Sequence, residues 1–373
     1  MVGKPIILTI NNGSSSCKAA LFTHSPNIEL IADLSVGRTG TTSPSGAILE
    51  WLQNFIPDYQ LAAIGHRFVH GGTLYAAPQL ITPKVLEDLK DLQTLDPLHA
   101  EPSIKLIEEF VGLYPDLPQA VCFDTSFFAD MPAVAKRIAL PDTFSDAGVR
   151  RYGFHGLSYT YVQREFERRA GTTARNGRVI YAHLGSGSSL AATKDGQAID
   201  TTMGFSPVSG VPSSTRSGDI DPTIVSFVQE RHGITADEFT KIAQTESGLL
   251  AVSGTSGDMK HLLEIEADDS RAKEAVSLYV YHVQKAIGAL AATIGGLDSL
   301  IFTGGIGEES DIIRERVCAG LSFLGVALDA NKNSQHEFTI SAEHGDAGVH
   351  VIRTNEAAII AEQTKKLTEG AHV

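Results

Sequence analysis

The chain has 373 residues, 42% of them hydrophobic and 20% charged, an ordinary composition for a globular protein with room for two or three domains. Its formal charge is -14 and no basic run interrupts it. That excludes a nucleic-acid or anionic-membrane partner as an expectation and leaves any anionic substrate to a few placed cations. The cysteines Cys17, Cys122 and Cys318 are far apart and lack metal-ligand spacing, so neither a disulfide framework nor a zinc site is expected, and a reducing cytoplasm fits. No charged-then-apolar leader and no apolar run of membrane-spanning length is seen, which disfavours secretion and membrane spanning.

Short β-branched runs alternate with helical patterns, the mark of an α/β architecture. In chain order, strands are expected at Ile6–Ile10, Ala19–Phe22, Ile28–Leu34, Ala62–His66, Ala120–Phe123, Val179–His183, Ser189–Thr193 and Ser299–Thr303. Gly37–Gly46 reads as a surface loop. Helices are expected at Ser103–Phe110, at Leu157–Ala170 with Gly171 as its stop, at Arg271–Ile294 and at Glu356–Leu367. The stripe Ala275, Val276, Tyr279, Val280, Val283, Ile287, Leu290 and Ile294 makes the third of these strongly amphipathic.

One pattern occurs twice. NNGSSSCK follows the first strand, and HLGSGSS follows Val179–Ala182. Each reads as strand, small-residue turn, strand, and such a turn lets backbone N–H groups close around an anion. Two copies point to two related domains that each offer a loop to one polyphosphate, although each loop alone could be an ordinary hairpin.

Further segments carry groups suited to phosphate chemistry. GHRFVHGG puts Arg67 where a strand exits into a glycine turn, and a guanidinium there matches carboxylate or phosphate oxygens. DPLHAEP places His99 in a proline-bracketed loop. FDTSFF ends a strand with Asp124, which could orient a nucleophile, touch Mg2+ or cap a helix. RRYGFHG sets His155 at a helix start, near the positive end of the dipole. The long irregular stretch Asp200–Pro222 carries Arg216, a second fork-shaped cation. TGGIGEES follows a strand and precedes a helix, and TNEA opens the last helix with Glu356.

Taken in order, from NNGSSSCK at Asn11 to TNEA at Thr354, these segments resemble the acetate kinase family of the acetate-and-sugar-kinase/Hsp70/actin superfamily. The resemblance implies two duplicated actin-like (ribonuclease H-like) domains with an active-site cleft between them: residues 1–125 with 357–373, and a nucleotide-binding domain over 126–356. It implies reversible transfer of the ATP γ-phosphoryl group to acetate, giving ADP and acetyl phosphate, with Mg2+ or Mn2+, in a cytoplasmic homodimer. By motif, Arg67, Asp124, His155, Arg216 and His99 would be catalytic, and Asn11 and Glu356 would serve the metal. Lys18, Ser14, Ser16, His183, Leu184, Gly185, Ser186, Gly187, Asp258, Met259, Lys260, Gly305, Ile306, Gly307, Glu308 and Glu309 would contact the nucleotide. Arg67, Val69, Leu98, Phe154 and Pro207 would hold the small acid. A carboxylate is already anionic at pH 7, so no general base is needed. The task is to bring two anions together, which favours direct in-line transfer over a phosphorylated Glu356.

Several positions depart from the family pattern. Ser186, Lys260 and Glu309 stand where asparagine, arginine and asparagine are usual, Pro212–Thr215 precede Arg216 in place of an MGTR-like run, and the Thr41–Ala62 region is short. These changes bear on nucleotide affinity and on the phosphoryl donor, with pyrophosphate the minority reading. The competing functions are a propionate or butyrate kinase, with Val69 as the discriminating residue, and a non-catalytic actin-like nucleotide-binding module. The Arg271–Ile294 helix is a candidate for the dimer surface as well as for the core.

Overall fold

The computed structural model describes residues 3–13, 16–37 and 43–370, apart from the Pro97 side chain. Ser14, one of the expected nucleotide contacts, and residues 38–42 of the expected Gly37–Gly46 loop lie outside the described residues.

The chain divides into two compact units. One comprises Met1–Ala129, Phe154–Tyr161 and Asn355–Val373, and the other Asp130–Gly153 and Val162–Thr354. In the first unit, β1 (Lys4–Asn12), β2 (Ser16–Thr23), β3 (Leu30–Gly37), β4 (Tyr59–Phe68), β5 (Gln79–Leu80) and β6 (Gln119–Phe123) form a sheet of order β3-β2-β1-β4-β6-β5. In the second, β7 (Val179–Leu184), β8 (Ser188–Lys194), β9 (Gln197–Thr201), β10 (Ser299–Thr303) and β11 (Gly348–Val351) form a sheet of order β11-β10-β7-β8-β9. The two sheets share a five-strand topology, to which the first adds β5, antiparallel to β6, at its edge. In each, three strands form an antiparallel meander, and two more add in parallel beside the first strand. The duplication expected from the repeated glycine turns is therefore present in the strand order itself.

The expected strands all appear, most of them longer, because the apolar run marks only the part of a strand that is buried. The third expected strand is shifted to Leu30–Gly37. Its alternating exposed and half-buried residues suit an edge strand, which gives the end of the strand little apolar signal. Pro44–Leu52 is a helix where a loop was expected as far as Gly46, capped by Ser43 Oγ accepting the Gly46 N–H. Helix Pro97–Leu113 likewise begins six residues before the expected Ser103, so His99 sits on a helix and not in a loop. Proline at the first helical position gives up an N–H that has no partner in any case. Pro102 within the helix deprives only the carbonyl of Leu98, an exposed residue that water can solvate.

Phe154–Tyr161, placed by sequence in the 126–356 domain, clusters with the first unit. The reason is apolar: Leu157 packs with Cys122, Ile359 and Ile360, all buried. Helix Glu356–Gly370 covers the same sheet, burying Ile359, Ile360, Ala361 and Thr364. In the second unit, helix Ser270–Ile294 runs from the Asp269 cap to Gly295 at φ 80°. Its apolar stripe lies inside that unit's core, with Leu300, Phe302, Val317 and Val349. Core burial thus accounts for the stripe that was also a candidate dimer surface. The three cysteines are buried thiols. Among the described residues, no helix is long and apolar enough to cross a membrane.

Two buried histidines give the fold an acid limit. His66, on β4, contacts Gln119 Oε1 through Nε2 at 2.8 Å. The Gln119 amide donates to the Phe110 carbonyl, so the network makes Nε2 of His66 the donor. Burial lowers its pKa from 6.5 to about 4 against the Gln119 hydrogen bond, and burial brings His350 to about 4 in the same way. The sign follows. The unfolded chain takes up these protons first, so the contribution is whole above pH 6.5 and is lost as pH falls to 4, at about 3 kcal/mol per histidine. Urea denaturation at pH 7 and pH 4.5 should show His66→Gln losing about 2–3 kcal/mol less than the parent between those conditions. An equal loss in both would refute the assignment.

Candidate active site

In open α/β sheets, polar groups at the carboxyl ends of parallel strands are the ones a ligand can reach. In the first unit β1, β4 and β6 run parallel, and Ile10 is in register with His66, and Arg67 with Cys122. The strand ends therefore bring Asn11, Arg67 and Asp124 together. Arg67 makes two parallel bonds to Asp124, Nε to Oδ1 at 3.0 Å and Nη2 to Oδ2 at 2.6 Å. Its Nη1 donates to Asn11 Oδ1 at 2.9 Å. The Asn11 amide donates to Glu356 Oε2 at 2.6 Å, and Glu356 Oε2 also lies 4.0 Å from Arg67 Nη1.

The Asp124 side chain is fully buried and that of Arg67 is 12% exposed. Burial pushes the Asp124 carboxyl up from its ordinary range, opposed by the charge and hydrogen bonds of Arg67 and by the His155 N–H. Burial also works against the Arg67 charge, but Asp124, Glu356 and Asp96 outweigh it, so the guanidinium holds its proton more firmly than usual. The carboxylate of Asp124 is thus taken up by Arg67 and not by a helix cap. His155, at φ 59°, adopts the left-handed conformation just before helix Gly156–Ala170, a strained choice for a non-glycine residue. A Cβ on Gly156 would come 1.9 Å from the Asp124 carbonyl oxygen, so only glycine allows His155 its approach to Asp124.

The other first-unit candidates are more dispersed in character. Lys18 is exposed on β2, in register with Asn11, and the Ser16 carbonyl closes the turn by accepting the Gly13 N–H at 2.9 Å. Val69 and Phe154 are buried, and the Phe154 ring meets the His70 ring edge-on at 5.4 Å. Leu98 is 43% exposed.

The second unit repeats the arrangement. β7 and β10 are parallel neighbours, with His183 in register with Thr303, so the turns after them lie side by side. A Cβ on Gly304, at φ 76°, would meet the Leu184 carbonyl oxygen at 2.7 Å, and one on Gly185 would lie 3.7 Å from the Gly305 nitrogen. Ser186 is exposed at the tip of the first turn, and its carbonyl accepts the Ser214 N–H at 3.1 Å. That bond ties the Arg216 loop to the turn. Arg216 is half-buried and donates to the Pro207 carbonyl at 3.4 Å, so two expected site residues are brought together here.

Several expected nucleotide contacts have structural work of their own. Glu308 Oε1 accepts from the N–H groups of Gly304 and Thr354 and from Thr303 Oγ1, stapling the GGIGEE turn, which forms a short helix (Gly304–Glu309). Glu309 pairs with Arg353 at the surface. Asp258 caps helix Met259–Ile265 by accepting the His261 N–H at 2.9 Å, Met259 is a core residue, and Lys260 is exposed. Ile306 packs partly against the same core.

Two residues beside these sites escaped the sequence reading. Arg314 is fully buried and donates to the carbonyls of Gly307, Glu308 and Asn333 and to Asn333 Oδ1, bracing the turn from behind. Its signal was a charge on the apolar face shared by Ile313 and Val317. Asp96, buried beside His99, is the other.

A sequence profile of the acetokinase family matches residues 46–362. The chain is 39% identical to an acetate kinase of Rhodopseudomonas palustris over 98% of its length and 99% of the relative's. It is 36% identical to an acetate kinase of Rickettsia typhi, over 97% of its length and 99% of the relative's. Among solved structures, a propionate kinase from Francisella tularensis matches with a TM-score of 0.88 at 33% identity, over 97% of this chain and all of that one. The acetate kinase of Porphyromonas gingivalis matches with a TM-score of 0.84 at 33% identity, over 98% and 100%. With the duplicated sheet order, these likenesses define an actin-like two-domain α/β protein. The chain belongs to the acetokinase family and is a phosphotransferase.

Proposed function

We propose that the chain catalyses ATP + acetate ⇌ ADP + acetyl phosphate. An acetate oxygen attacks the γ-phosphorus in line as the bond to the ADP oxygen breaks. The observation that carries the reading is the buried, two-bond Arg67–Asp124 pair at the strand ends, beside Asn11 and Glu356. Asp124 fixes the Arg67 fork, and the guanidinium takes an acetate or phosphoryl oxygen. His155 hydrogen-bonds the transferring group, and Arg216 offsets its charge. In the second unit, the paired turns at His183–Gly187 and Gly304–Glu309 take the nucleotide.

The first-unit cluster sets three carboxylates, Asp96, Asp124 and Glu356, against one guanidinium, an acidic balance that suits a divalent cation. Among the described residues, no group of three histidine, cysteine or acidic side chains could hold a metal by itself. Mg2+ fits that limit, because it keeps several waters and uses one or two carboxylates with substrate phosphates. Glu356 and Asn11 supply the hard oxygens. Held by Glu356 and Asn11, the ion would supply positive charge against the substrate phosphates. A cytoplasmic homodimer belongs to the same reading, checked by light scattering of the purified protein.

A coupled assay for acetate-dependent ADP formation tests the proposal, and trapping acetyl phosphate with hydroxylamine when pyrophosphate replaces ATP tests the donor. Turnover with pyrophosphate alone would refute the ATP reading. The similarity to a propionate kinase keeps a longer acid in play. Val69 is buried, and its branched side chain should crowd an added methylene, so kcat/KM should favour acetate over propionate by about tenfold or more. Val69→Ala should narrow that ratio. A parent ratio at or below unity would overturn the acetate assignment.

A further inference from the structure

We propose that Asp96 is a positioning residue for His99, accepting the Nδ1–H of the imidazole and so fixing its tautomer and ring plane on the acetate side of the site. The inference rests on the acetate kinase reading for its kinetics, though not for its geometry. Asp96 Oδ1 lies 2.9 Å from His99 Nδ1. A carboxylate only accepts, so this contact puts the proton on Nδ1.

Three features separate this pair from an ordinary helix start. Asp96 occupies the cap position of helix Pro97–Leu113, where an aspartate side chain normally accepts a backbone N–H, yet its side chain makes no capping bond. The His99 N–H, which a capping carboxylate would take, is met by the Asp96 carbonyl at 3.3 Å instead, which leaves the carboxylate to the ring. Asp96 is only 2% exposed, and its Oδ2 is buried without a hydrogen-bond partner. Burying a carboxylate half-satisfied is unfavourable, and a capping role would not require it. Its charge also reaches the Arg67 guanidinium, so the pair stands within the electrostatic field of the proposed acetate-binding group. Neighbouring contacts hold the segment in place: Ser103 Oγ donates to the His99 carbonyl at 2.8 Å, and the Asn12 amide reaches Ser103 Oγ at 3.4 Å.

The test combines ring-nitrogen NMR of the full-length, 15N-histidine-labelled protein with a kinetic double-mutant cycle. The His99 signals are assigned by their loss in His99→Ala. The parent should show the Nδ1–H tautomer, and Asp96→Ala should move it toward Nε2–H. Asp96→Ala should raise KM for acetate about tenfold and leave KM for ATP within about twofold, whereas in the His99→Ala background it should change KM for acetate less than about twofold. An Nε2–H tautomer in the parent overturns the proposal, and that arm stands even if Asp96→Ala does not fold. Independent, multiplying effects of the two substitutions would overturn it as well. If the parent failed to phosphorylate acetate, the functional reading would fall while the NMR arm still decided the Asp96–His99 pairing.

Discussion

Asp124→Ala should lower kcat by about 10³-fold or more and destabilise the protein measurably, because one residue serves both ends. Arg67 is 12% exposed and its two strongest bonds go to Asp124. Removing the carboxylate frees the fork to turn and leaves a buried cation without its main counter-charge. Breaking such a pair on one side costs about 3–5 kcal/mol. Asp124→Asn keeps one acceptor oxygen and loses the charge, so it should fall between parent and alanine in both activity and melting temperature. The double variant Arg67→Ala/Asp124→Ala is the sharper test. It also removes the cation that Asp124→Ala strands, while Glu356 and Asp96 lose that cation's charge, so its stability should recover only part of the loss seen in Asp124→Ala, and its activity stays lost. Turnover of Asp124→Ala within tenfold of the parent, by the coupled assay, would show that the pair is structural only.

The strands were legible because their buried β-branched runs end in glycine or polar residues, and that same punctuation located Asn11, Arg67 and Asp124. The strands that were not seen are short or mixed: Gln79–Leu80, Gln197–Thr201 and Gly348–Val351 offer no sustained period. Three helix starts failed for one physical reason. Pro44, Pro83 and Pro97 each open a helix, but proline reads as a breaker unless the preceding residue is recognised as a cap, as Ser43 and Thr82 are. Side-chain roles inside the second unit were the least legible. Glu308 and Asp258 look like ligands in a glycine-rich turn, and only the coordinates show that one staples Gly304 to Thr354 and the other caps a helix. Arg314 failed in the opposite direction. A lone arginine reads as solvated surface, whereas here carbonyls satisfy it in full burial.

Arg216→Ala should divide the two kinetic constants. The loop that carries Arg216 has no regular structure, yet it is pinned at many points: Ser213 N–H to the Arg216 carbonyl at 3.1 Å, Ser214 N–H to Ser186, Ser217 N–H to the Ala243 carbonyl at 2.9 Å, and the Thr215 carbonyl to the Ser247 N–H at 2.9 Å. A Cβ on Gly248 would collide with the Ser213 carbonyl oxygen at 2.1 Å, so the helix beginning there can lie directly on the loop. These bonds all run between main-chain atoms, so they persist when the Arg216 side chain is truncated. Truncating that side chain should leave the melting temperature within about 2 °C of the parent. On the proposed reaction, the charge it offers would matter most as negative charge spreads over the transferring phosphoryl oxygens, which would place its effect in the transition state. We expect kcat to fall by about 10³-fold, equivalent to about 4 kcal/mol, with KM for ATP changed less than about threefold. Arg216→Lys should recover little, since a single ammonium cannot reproduce the planar fork. A rise in KM for ATP with kcat intact would instead make Arg216 a ground-state nucleotide contact and remove it from the chemistry.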